Sequence, residues 1–285
     1  MFCVSLRLHS VWIEEVLKSL GELVGTTKRI FVLSVMGVKS SGKSTLLNTM
    51  FGIPMKTSVG QCTRGVDIQL LKVEGRQEYD YILLLDTEGC RAPEYHGSPL
   101  NEKRDNQIAT LSILLADATI VVIPGDNDAA IKEVLPAVLM AYQASKLAET
   151  NGGRRSSMLF FAFNRIDATR KEKLGTIVRS LGTSLNESFD RMHSFNGQSN
   201  QSTKKEFFQS FILGGPNSSD VCILGKNTNK IEPRGDVPDA AFGEALVKFR
   251  EDIHRRVTEG TTWNSRSILE FSYYVDQVWT GVCDL

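Results

Sequence analysis

Apolar residues along this chain keep two rhythms. Six short runs are apolar almost throughout: "IFVLSVM" from Ile30, "VDIQLLKV" from Val66, "YDYILLLD" from Tyr79, "ATIVVIP" from Ala118, "SMLFFAF" from Ser157 and "DVCILG" from Asp220. Runs rich in Val, Ile and Leu on both faces read as strands buried on both sides. Between most of them the apolar positions recur every three or four residues. That spacing predicts helices near Lys43–Phe51, Arg104–Ala116, Ala129–Leu147, Arg170–Ser188 and Ala240–Val257. Ahead of them, Ser10 to Val24 sets Ile13, Val16, Leu17, Leu20, Leu23 and Val24 at helical spacing, with Ser10 suited to cap the helix and Gly25 to stop it.

Strands alternating with helices predict an α/β fold, a mostly parallel sheet with helices on both faces. The second and third runs depart from this. The gap between Val73 and Tyr79 is too short for a crossover helix, so these runs form an antiparallel hairpin and the sheet is mixed. "HSFNGQSNQSTKK" (His193–Lys205) and "GKNTNKIEPRGDVPD" (Gly225–Asp239) read as polar surface loops. "AIKEVLPAVLMAYQASK" (Ala130–Lys146) has few charges and reads as a helix buried against the sheet, in preference to one lying on a membrane.

Composition narrows the partners. The 285 residues suffice for one large core. Lys+Arg and Asp+Glu are equal at 33 each, so no global field draws in nucleic acid, and none is expected as a partner. The five cysteines (Cys3, Cys62, Cys90, Cys222, Cys283) are odd in number and scattered. They read as reduced thiols, which predicts a cytoplasmic protein, with the nucleus as the other compartment of similar redox state. The four histidines (His9, His96, His193, His254) have no metal-ligand spacing. No uncharged apolar run reaches the roughly 18 residues of a transmembrane segment, and no secretory cleavage site is evident.

The chemistry begins where the first strand ends. "GVKSSGKS" (Gly37–Ser44) fits Gly-x-x-x-x-Gly-Lys-Ser between a strand and a helix. Glycines let successive N–H groups of Gly37, Val38, Lys39, Ser40, Ser41, Gly42, Lys43, Ser44 and Thr45 turn inward around a polyphosphate, and the helix N-terminus adds positive potential. Lys43 would reach the β- and γ-phosphates, and the Ser44 hydroxyl would bind Mg²⁺. In "LLLDTEG" (Leu83–Gly89), Asp86 closes a strand where it would hold the metal's water shell, and Gly89 would offer its N–H to the γ-phosphate. Thr63, in the polar stretch "GQCTRG", would give its hydroxyl to Mg²⁺ and its carbonyl to the attacking water.

A base site follows at "FFAFNRID" (Phe160–Asp167). The Asp167 carboxylate would accept from N1–H and the 2-amino group of guanine, an edge adenine lacks. It also suits the N-cap of the helix that follows. Asn164 would tie this loop to the phosphate loop, and the stem of Arg165 would lie along the base. A last base-contacting segment is expected near Leu224–Asn227.

Taken in order, these elements resemble the G domain of P-loop GTPases. In "VMGVKSSGKSTLLNTMFG", "CTRGVDIQLLKV", "DYILLLDTEGCRAPE", "DNQIATLSILLADATIVVIPGDN" and "GDVPDAAFGEALVKF" the chain is similar to the interferon-inducible very large GTPases, within the dynamin-like superfamily. The resemblance implies three parts: an N-terminal helical extension over 1–28, a very-large-GTPase-type G domain over 29–260, and a C-terminal helix over 261–285 that would begin a further helical region. It implies GTP and GDP as ligands, Mg²⁺ as cofactor, hydrolysis to GDP and phosphate, and a homodimer across the nucleotide face. Guanylate-binding proteins carry an arginine finger where this chain has Ser40, and dynamins a serine there preceded by a polar residue, here Lys39. Lys39 and Ser40, with Lys43 and Thr63, are therefore the candidates for catalysis. A GTP-dependent interaction module without turnover is the alternative, distinguished by GTP binding with no phosphate release. A P-loop ATPase or kinase would share only the first motif, and would prefer ATP.

Overall fold

β1 (Arg29–Gly37) is the most thoroughly buried strand, shielded at every position after Arg29, and it lies inside the sheet. The computed structural model describes residues 10–55, 63, 65–89, 99–125, 128–150, 157–166, 171–195, 220–225, 240–259 and 263–283. β3 (Tyr81–Thr87) and β4 (Ala118–Pro124) flank β1 in parallel. β5 (Met158–Ile166) and β6 (Val221–Gly225) continue the sheet in parallel on the β4 side. β2 (Val66–Lys72) pairs antiparallel with β3, from Val66 opposite Thr87 to Lys72 opposite Tyr81, which makes the sheet mixed. The chain leaves β1 toward β2 and β3 on one side and returns to β4 on the other. Such a reversal opens a crevice at the carboxyl end of the strands, where Gly37 stands.

Period-two alternation along β1 sorts the core into two layers. Phe31, Leu33 and Val35 face α2 (Lys43–Phe51) and α6 (Ala240–Thr258), packing with Leu47, Met50, Phe249 and Ile253. Met36, on the opposite face, packs beneath α3 (Pro99–Leu115), α4 (Asp128–Thr150) and α5 (Lys171–Phe195). Ile30 and Val32, on that same face, pack beneath α3, α1 (Ser10–Val24) and α7 (Ile268–Cys283). α1 keeps the bounds its periodicity predicts; Gly25, at φ 108°, closes it by donating to Gly21 O at 2.9 Å. In α4, Leu135, Val138 and Leu139 are buried in the layer that holds Met36, as its low charge predicts. Among the described residues, no helix is long and apolar enough to cross a membrane.

Three elements differ from the sequence reading. α3 begins at Pro99, five residues before the expected Arg104, because proline suits a first helical turn where no intrahelical N–H bond is made. α5 runs to Phe195, so the first three residues of the His193–Lys205 segment are helical. A short strand, β7 (Arg266–Ser267), pairs antiparallel with the start of β1 and had no periodic signal. It precedes β4 along that edge of β1, and Asp117 joins the two regions. Its Oδ2 accepts from Val32 N at 2.7 Å, and its Oδ1 from Trp263 Nε1 at 3.0 Å.

Candidate nucleotide-binding site

The phosphate loop owes its path to close backbone approaches. A Cβ on Gly37 would stand 2.3 Å from the Val122 carbonyl oxygen of β4, so glycine alone lets β1 end against its neighbour. Gly42 takes φ 93° as the residue before α2, and a Cβ there would stand 2.4 Å from Asn164 Nδ2. Between them Ser40, exposed, holds φ 60°, a left-handed conformation that costs a non-glycine residue about 1 kcal/mol or more. Ser41 N donates to Val38 O at 3.2 Å, and Val38 is buried. The Ser41 hydroxyl is also buried and has no hydrogen-bond partner. Lys43 is 7% exposed and curls back over the loop, its Nζ donating to Val38 O at 3.2 Å and Gly37 O at 3.4 Å. Thr45 is exposed on the first turn of α2.

Three oxygen-bearing side chains converge near that lysine. Ser44 Oγ donates to Asp86 Oδ2 at 2.5 Å, and Thr63 Oγ1 donates to the same oxygen at 3.2 Å. Asp86 is 1% exposed, and its Oδ1 is buried without a partner. Burial pushes its carboxyl up from the ordinary value, against the downward pull of the Ser44 bond, the Lys43 charge and the Thr63 bond. A buried carboxylate with an unmet lone pair, beside two hydroxyls, is a hard oxygen donor set of the kind that holds Mg²⁺ together with phosphate and water. Among the described residues no group of three or more His, Cys, Asp and Glu could hold a metal ion, so the fit rests on one carboxylate and two hydroxyls.

Gly89 brings the segment after β3 against the loop: a Cβ there would lie 2.4 Å from Lys39 Cα and 2.7 Å from Lys39 N. On the far side, Asn164 at the end of β5 donates through Nδ2 to Ser41 O at 3.1 Å, while its backbone oxygen accepts from Gly125 N at 2.6 Å. Arg165 follows, exposed and left-handed at φ 64°. The structure thus brings Gly37 through Ser44, Thr63, Asp86, Gly89 and Asn164 to one end of the sheet. Asp167 lies outside the described residues. Leu224 and Gly225 end β6 beside β5, and residues 226–227 of that expected segment also lie outside.

Sequence reasoning passed over two participants. Glu88, inside Asp-Thr-Glu-Gly, accepts from Gly65 N at 2.9 Å through Oε2, and its own N–H donates to Gly65 O at 2.7 Å. Arg104 of α3 donates to the same Glu88 oxygen. Glu88 stood within a motif already quoted, whereas Arg104 had no local signal.

The sequence matches the model of the family described as the URGCP-like GTPase domain over residues 5–226. It is 42% identical over 283 residues to interferon-induced very large GTPase 1 from Homo sapiens, covering 95% of this chain and 11% of that protein. Up-regulator of cell proliferation from Bos taurus is 35% identical over 135 residues, 46% of this chain and 14% of that protein. The chain therefore spans about a tenth of the length of these curated relatives. Among solved structures, Toc33 from Arabidopsis thaliana in complex with GDP and Mg²⁺ aligns with a TM-score of 0.48 at 12% identity, covering 89% of this chain and 94% of that one. A family match extending over most of the chain, from before α1 to the end of β6, settles its membership: this chain belongs to the URGCP-like GTPase domain family.

Proposed function

We propose that the chain binds GTP with Mg²⁺ and hydrolyses it to GDP and phosphate. The observation that carries this reading is the convergence of Ser44 and Thr63 on the buried Asp86 carboxylate directly under the phosphate loop. Ser44, Thr63 and Asp86 would hold Mg²⁺, which when bound neutralises charge on the phosphates. Lys43 places its ammonium against loop carbonyls, from which the β- and γ-phosphates would draw it. Thr63 would orient the attacking water through its carbonyl, and Gly89 would present its N–H to the γ-phosphate with no side chain in the way. Catalysis here is positioning and charge stabilisation with no covalent intermediate. Lys39 and Ser40, within the phosphate loop, complete the candidate catalytic set. Val38, Ser41, Gly42 and Thr45 would line the phosphates, while Asn164, Arg165 and Asp167 would hold the guanine.

Folded protein should release phosphate from GTP in a Mg²⁺-dependent manner and from ATP only at background. Asp167→Asn should shift preference from guanine toward xanthine nucleotides. Binding of GTP with no release would favour a non-hydrolysing interaction module, the reading that the serine at position 40 supports. A homodimer across the nucleotide face and a cytoplasmic location, where thiols such as the buried Cys222 stay reduced, belong to the same proposal.

A further inference from the structure

The β2–β3 ladder ends irregularly, and that irregularity assigns a role. Val66 stands opposite Thr87, so Gly65 and Glu88 are the next facing pair. At a hydrogen-bonded position of a regular antiparallel ladder, the two facing residues would exchange both backbone bonds. Here only one is made between backbones, from Glu88 N to Gly65 O at 2.7 Å. Gly65, at φ 74°, donates its N–H at 2.9 Å to the Glu88 side-chain carboxylate. That frees the backbone after Glu88 to leave the sheet at once, and Gly89 then meets Lys39 of the phosphate loop. One carboxylate therefore joins the segment that carries Thr63 to the segment that carries Gly89.

The Glu88 side chain is only 13% exposed and faces the guanidinium of Arg104, itself 23% exposed. Its bond from Arg104 Nη2 is charge-assisted, the stronger kind of hydrogen bond. Arg104 Nε is buried with no partner, so the side chain spends a desolvated N–H to keep this place. Among the described residues, nothing stands within 4 Å of where a Cβ of Gly65 would be. Two residues before it, the Thr63 hydroxyl reaches Asp86 at 3.2 Å.

We infer that Arg104 is a positioning residue for hydrolysis: by anchoring Glu88 it keeps the Gly65 backbone clasped, and so keeps Thr63 over Asp86. This rests on the reading of the site as a GTPase.

Steady-state GTP hydrolysis, GDP affinity and unfolding midpoint, measured on wild type, Arg104→Met, Arg104→Gln and Arg104→Lys, test the assignment. Loss of one charge-assisted bond should lower kcat by about tenfold or more in Arg104→Met, with GDP affinity and the unfolding midpoint close to wild type, since GDP presents no γ-phosphate to an attacking water that Thr63 would orient. Arg104→Lys, which keeps the charge, should recover most of the loss. Arg104→Gln reads the same step should the methionine variant fail to fold. Amide exchange at Gly65 should quicken in Glu88→Gln without nucleotide. Unchanged kcat in the Arg104 variants beside an active wild type overturns this inference alone. So does a parallel loss of kcat, GDP affinity and stability, which marks a merely structural contact. A wild type that binds GTP but never turns it over overturns the hydrolytic reading and this inference together.

Discussion

At the scale of single residues, the site is governed by atoms that are absent. Gly89 lacks a side chain where one would press 2.4 Å from Lys39 Cα, a contact with main chain that cannot rotate away. Gly89→Ala should push the phosphate loop and the segment after β3 apart, weakening GTP binding about tenfold or more while GDP binding falls less, because in the proposed site only the γ-phosphate would call on the Gly89 N–H. Titration with fluorescent nucleotides distinguishes the two losses. Gly42 differs: its forbidden Cβ would meet the movable Asn164 amide, so strain at φ 93° and loss of the Asn164–Ser41 bond are its cost. How far such residues were legible depends on chain distance. Gly37, Gly42, Lys43 and Ser44 could be read because the loop that uses them is contiguous. Asp86 could be read because an acid ending an apolar strand is conspicuous. The Arg104 contact could not, since it is one side-chain bond to a residue 16 positions away that no periodicity announces.

At the scale of elements, the long apolar strands were the most legible, because a strand buried on both faces must be apolar at both parities. β7 was not, being two residues long and chosen by the free edge of β1. The seating of α6 was equally hidden, since it depends on polar atoms. Tyr79, just before β3, bonds His254 Nδ1 of α6 at 3.1 Å, and nearby Arg76 pairs with Glu251. Burial pushes the Tyr79 phenol up to about 12, so it stays protonated while it shares that bond with the imidazole. Burial, with the Arg76 charge next, holds His254 below its ordinary 6.5, against the upward pull of Glu78, Glu251 and Glu259. The sign follows from linkage. The unfolded chain takes up its proton near 6.5 while the folded one resists, so stability falls as pH drops below that value. Asp80, held low chiefly by Lys28, and Glu251, held low chiefly by Arg76, also lose stability in acid. They do so only as pH falls through the ordinary carboxylate values of 3.8 and 4.5. The urea midpoint of His254→Gln should therefore fall less than that of wild type as pH drops below about 6.5, which unfolding series at fixed salt would check.

At the scale of the molecule, the family match and the folded unit have different ends. The match stops at residue 226, just after β6, when every strand that builds the nucleotide site has been made. The sheet at that point is uncovered in two places. Phe31, Leu33 and Phe160 need Phe249 and Ile253 of α6, and Ile30 and Val32 need Phe271 and Val275 of α7. The buried Asp117 loses its Trp263 donor, and the start of β1 loses β7. Sheet faces this apolar seek other surfaces when bared, and an open edge beside them offers a template for pairing. A protein ending at residue 226 should therefore aggregate or unfold although it keeps the phosphate loop, Thr63, Asp86 and Asn164. One ending at residue 283 should remain monodisperse and bind nucleotide. Light scattering and GTP titration on the two lengths would decide: a soluble, nucleotide-binding shorter form would mean that α6, β7 and α7 are an appendage and that the sheet needs only the helices before it.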